Sequence, residues 1–183
     1  MKKLTYSLII LASAAFIVGC KGKKEVTPPK GETEVVVPCS GSEYFTTTKE
    51  FRANSIGESS DQVASKKKAL ANARNELAAS ISTTVKSVTD NYLNSREMNN
   101  REEVEERFEQ LGREVVDQKL TGVRTICEKL MRTEQGTYKT YMALELSAAD
   151  LVSAYNEKLS KDERLKIDYD YEKFKETFDK EKD

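Results

Sequence analysis

Three cysteines and no histidine bound the chemistry open to this 183-residue chain. Without imidazole it lacks the commonest general base and the commonest metal ligand at neutral pH, which excludes Ser-His-Asp and Cys-His nucleophiles and histidine-zinc centres. Cys20 follows Gly19 at the end of an apolar or small run from Leu4 to Val18, itself preceded by Lys2 and Lys3. A basic start, a short apolar run and a small residue at the cut form the pattern of an export leader. At about 15 residues the run falls short of the roughly 20 that cross a bilayer as a helix. A cysteine at the cut can take lipid on its thiol, so Gly19 and Cys20 are the expected cleavage junction and Cys20 the expected acyl (palmitate) carrier. Ile17 and Val18 stand where a lipobox more often has leucine and a small residue. The alternative is a chance cysteine beside a plain signal.

One acyl chain holds a protein at a membrane only marginally, whereas two or three hold it stably. The mature chain is thus expected on a membrane rather than through it. Lys21, not an aspartate, follows the cysteine, which points by resemblance to sorting patterns to the outer membrane, with either face open.

Cys39 and Cys127 are an even pair in a chain read as exported, where disulfides form and persist. A bridge between them would tie the segment before the domain to a late strand; two unpaired thiols are the alternative. The remaining candidates for chemistry are carboxylates. Asp168, Asp170 and Glu172 in an Asp-Tyr-Asp-Tyr-Glu run could serve a histidine-free glycan hydrolase, since paired carboxylates cleave glycosidic bonds. The run lacks the glycine and spacing of a calcium loop, and a solvated charged face is the simpler expectation. No metal or cofactor is expected. Lys66, Lys67 and Lys68 are successive and would fan around a helix instead of forming one patch, which argues against nucleic acid as a partner.

Charge agrees with this. The formal net charge is −1, or about −3 by subtraction once Lys2 and Lys3 leave with the leader. A third of the residues are charged with both signs mixed, Trp is absent and aromatics are few, so the surface is well solvated and the core modest.

The elements that must position these residues follow from periodicity. Residues 20–37, rich in Lys, Glu, Gly and Pro, form a flexible tether. Phe51 to Gly57 is a strand candidate. Ser59 with Gln62 has capping-box spacing, and a helix of nearly 50 Å should run to about Leu93. Its stripe is Val63, Leu70, Ala73, Leu77, Ile81, Val85, Val88 and Tyr92. That stripe exceeds what a small sheet covers, which leaves spare surface for a partner. A second helix carries Val104, Phe108, Leu111 and Val115, softened by Gly112, with Arg101 to Arg107 supplying a solvated acidic and basic face. After Gly122 the period becomes two: Val123, Thr125 and Cys127 on one face, then a turn at Glu134 to Thr137, then Tyr138, Thr140, Met142, Leu144 and Leu146. Ser147 with Asp150 caps a helix bearing Leu151, Tyr155 and Leu159; a last one carries Ile167, Tyr171, Phe174 and Phe178 as an aromatic edge. The order predicts an α+β domain over 38–160, with an antiparallel sheet of about three strands under one long and several shorter helices, and residues 161–183 as an amphipathic helix or tail.

Phe51-Arg52-Ala53, Gly57-Glu58-Ser59, the alanine-rich run from Ala69 to Ile81 and the later Gly136 to Leu146 together resemble the envelope lipoprotein family typified by a twenty-kilodalton membrane-associated antigen. The likeness spans about Pro38 to Leu159. It implies a small domain with a long helix on a strand sheet, related to the N-terminal domain of a flagellar assembly protein, and it transfers no catalytic residue. The expected role is a non-catalytic, lipid-anchored binding or scaffold module of the cell envelope, its partner a second copy, another envelope protein or peptidoglycan.

Overall fold

The computed structural model describes residues 30–95, 101–163, 165 and 169–182. Val36–Asp183 form one compact unit, separate from Met1–Val35, whose described residues 30–35 are exposed. Within the compact unit the described elements are β1 (Glu50–Ser59), α1 (Gln62–Asn94), α2 (Arg101–Leu120), β2 (Arg124–Arg132), β3 (Tyr138–Ser147), α3 (Ala148–Lys161) and α4 (Tyr171–Lys182), after a single 3-10 turn at Ser42–Tyr44. The fold is α+β, with one antiparallel sheet of order β1-β3-β2.

The start of α1 differs from the capping-box expectation. Asp61 is the N-cap and its Oδ1 accepts from the Ala64 N–H at 2.7 Å, while Ser59 Oγ accepts from the Asp61 N–H. A carboxylate beside free amide groups is the better acceptor, and its charge suits the positive end of the helix. The first turns are rotated accordingly. Val63 is exposed and Leu70 only partly buried, whereas Ser65 and Ala69 face the sheet. From Ala73 onward the expected stripe is buried.

The close approach of α1 to β1 is possible because of small residues. A Cβ on Gly57 would stand 2.9 Å from Lys68 Cβ, and nearer still to the Ser65 carbonyl oxygen and the Ala69 nitrogen. Ser65 Oγ bonds the Gly57 carbonyl at 2.9 Å and the Thr140 hydroxyl at 2.7 Å, so this buried pair is satisfied while joining α1 to two strands. Gly112 likewise has a packing reason: a Cβ there would lie 2.9 Å from the Tyr155 hydroxyl on α3.

The sheet covers only the first half of α1, and helices cover the rest. Val85, Val88, Tyr92 and Leu93 are buried with Phe108, Leu111 and Val115 of α2 and Phe174 of α4. Rings of Tyr92, Phe108 and Phe174 lie 5.6–6.4 Å apart, and Tyr155 stacks on Phe174 at 6.0 Å. Phe178 meets Phe51 edge-on at 6.3 Å. From Ala73 onward the stripe expected to be spare is thus covered within the chain, and Phe174 and Phe178 of the aromatic edge are core. Ile167 lies outside the described residues. Asn91 and Ser87 on α1 both bond Glu181, and Lys173 Nζ donates to the Ser95 carbonyl, which fixes α4 along α1.

Candidate functional site

The face of the sheet away from α1 carries a charged cluster with a buried carboxylate at its centre. Arg52, Glu145 and Arg124 are direct cross-strand neighbours, one from each strand. Arg52 Nε donates to Glu145 Oε2 at 2.6 Å, its Nη2 lies in ion-pair contact with the same oxygen at 2.6 Å, and Arg124 Nη2 donates to the other carboxylate oxygen. Burial by itself would push the Glu145 carboxyl up; the hydrogen bonds and charges of the two guanidiniums outweigh that and hold it below its ordinary 4.5. Both carboxylate oxygens are engaged by arginine, which suits a structural clamp.

The N-terminal segment lies over the same face. Arg52 Nη1 donates to the Glu43 and Phe45 carbonyls, and Thr46 Oγ1 accepts from the Arg52 N–H and donates to its carbonyl. Cys39 is buried and is bonded to Cys127, with their α-carbons 5.6 Å apart. The cysteine expected to pair with it does so, but by a route that strand alternation did not predict. A bulge between Thr125 and Cys127 makes Thr125 oppose Leu144 and Cys127 oppose Ala143. Successive residues of β3 point to opposite faces, so Thr125 lies on the α1 side and Cys127 on the open side, contrary to the single face expected for Val123, Thr125 and Cys127. The inserted residue turns Cys127 toward Cys39.

The other candidates are dispersed. Gly19 and Cys20 lie outside the described residues, as does Asp168. Asp170 is exposed; its Oδ1 accepts from the Lys173 N–H, as a cap at the start of α4 does, and its own N–H donates to the Tyr92 hydroxyl at 2.8 Å. Glu172 is exposed on the first turn of α4. No group of three or more His, Cys, Asp or Glu able to hold a metal occurs among the described residues. The three lysines diverge as expected from helix geometry: Lys66 pairs with Glu128 at 2.8 Å, Lys68 donates to the Glu58 carbonyl at 3.1 Å, and Lys67 is exposed.

Sequence inspection did not find the Arg52-Glu145-Arg124 rung, because the residues sit 93 and 21 positions apart and only the strand register brings them together. Their signal was charge at outward positions of three apolar-patterned strands. Among the described residues no helix is long and apolar enough to cross a membrane. No protein-family model, curated protein or solved structure matches the chain, so the resemblance to the envelope lipoprotein family rests on the residues quoted for it.

Proposed function

We propose that this chain is a non-catalytic lipoprotein of the bacterial envelope, anchored through acyl chains on Cys20, whose α+β domain acts as a binding or scaffold module. The observation that carries the proposal is the division of the three cysteines. Cys39 and Cys127 consume one another in a bridge, which leaves Cys20, directly after Gly19 and an apolar run, as the thiol available for lipid. A disulfide also fits folding in an oxidising compartment, the one an export leader would reach. Lys21 after the lipid site favours the outer membrane, with residues 21–37 as the tether. The non-catalytic part is supported by the lack of histidine and by the engagement of Glu145 in a clamp and Asp170 in a cap.

Metabolic labelling with a fatty acid, followed by membrane fractionation, tests this. The native chain is expected to carry label and to float with outer-membrane vesicles; Cys20→Ser is expected to lose the label and stay with the unprocessed inner-membrane fraction. A labelled Cys20→Ser chain, or an unlabelled native chain, contradicts the proposal. Release of sugar from muramyl glycans that depends on Asp168 or Asp170 would favour the carboxylate hydrolase instead.

A further inference from the structure

We infer that the free edge of β2 pairs with β2 of a second copy, antiparallel about a twofold axis at Leu130, so that two three-stranded sheets join into one. This goes beyond the proposed function and holds whether or not Cys20 carries lipid. The two edges of the sheet are treated differently. On β1 side chains occupy the outer backbone groups: Thr46 takes the N–H and C=O of Arg52, Asn72 Nδ2 donates to the Ile56 carbonyl, and Lys68 to the Glu58 carbonyl. Such cover blocks strand addition. On β2 no described side chain reaches the backbone of Glu128, Leu130 or Arg132. The strand is exposed along nearly its whole length, with Leu130 and Met131 both over 40% accessible (41% and 45%).

The hydrogen-bond parity of that edge follows from β1. Its even residues turn outward, so its odd residues bond Thr140, Met142, Leu144 and Leu146 of β3. Lys139, Tyr141 and Ala143 must then bond β2, at Met131, Lys129 and Cys127. Glu128, Leu130 and Arg132 are left with their N–H and C=O groups pointing away from the sheet, and these are the residues that would bond a new strand.

Charge selects the register. In an antiparallel pair about a twofold, one residue opposes itself and its neighbours exchange partners. Centring on Glu128 opposes two carboxylates, and centring on Lys129 opposes two ammonium groups. Centring on Met131 opposes Leu130 to Arg132. Centring on Leu130 opposes leucine to leucine and, on the same face, Glu128 to Arg132 twice, so both charged pairs are complementary. It also fits the outward parity of residues 128, 130 and 132. The Lys66 bridge to Glu128 is exposed on both sides and does not hold Glu128 away from a new partner.

The test uses the full chain in detergent, with exposed positions chosen so that folding is retained. Leu130→Cys under mild oxidation should give a covalent dimer, against the parent chain as background and Val63→Cys, exposed on α1, as control. By light scattering, Glu128→Arg and Arg132→Glu should each weaken dimerisation about tenfold or more, and the double exchange should recover most of it. A folded monomer at high concentration, no excess of cross-linking at Leu130 over Val63, or a double exchange that recovers nothing would each overturn the inference.

Discussion

Gly57 has no Cβ because α1 leaves no room for one, and that single position sets how near the long helix sits to the sheet. Gly57→Ala should cost about 3 kcal/mol or more, because backbone atoms of Ser65 and Ala69 stand in the way and cannot rotate aside; a thermal melt of the variant checks this. Glu145 gives a pH signature. Its folded carboxyl titrates below the unfolded one, so its contribution is fully present above about pH 4.5 and is lost as pH falls through the depressed folded value. Melting temperature should therefore drop less between pH 6 and pH 3 in Glu145→Gln than in the native chain, and Glu145→Gln should begin about 2 kcal/mol less stable at neutral pH. An equal slope in both would remove the clamp from the account. Neither residue announced itself in sequence. Gly57 read as the end of a strand, and Ser65 gave no signal at all, because a buried, satisfied hydroxyl pair is invisible until its partner Thr140 is known.

At the scale of elements, periodicity located β2, β3 and the α1 stripe from Ala73 to Tyr92, whereas β1 alternates poorly and was legible only from the helix start that follows it. It failed where one residue changed the phase. The bulge between Thr125 and Cys127 carries no sequence signal of its own, yet it decides which face Cys127 occupies and so whether the bridge can form. Within the capping run Ser59 to Gln62, Asp61 prevailed over the Ser59 of capping-box spacing. The bridge closes a loop of 88 residues, so Cys39→Ser, or reduction, should lower stability by about 2–4 kcal/mol. The covered part of the open face should gain amide hydrogen exchange at Tyr141 and Ala143, where the N-terminal segment is pinned. An unchanged denaturation midpoint after reduction would argue against the bridge.

Across the whole molecule, the sheet packs one end of α1 and an aromatic cluster packs the other, and α4 belongs to both through Phe178 and Phe174. Sequence placed these rings on one edge of an amphipathic helix or tail outside the domain, because nothing local says that the helix beginning at Tyr171 packs along the one beginning at Gln62. Phe174→Ala should cost about 3–5 kcal/mol, read from urea denaturation, since its ring touches those of Tyr92, Phe108, Tyr155 and Tyr169. From Ala73 onward the apolar face of α1 is covered inside the chain, and the proposed envelope role depends on where the protein is held. The most direct measurement is the intact mass of the protein extracted from its native membrane. Expected is a chain beginning at Cys20, heavier than its residues by a thioether-linked glyceryl group with two acyl chains, with or without a third acyl on the new amine, and lighter by the two hydrogens of the Cys39–Cys127 bridge. A mass that retains Lys2 and Lys3, or that leaves Cys20 bare, would contradict it.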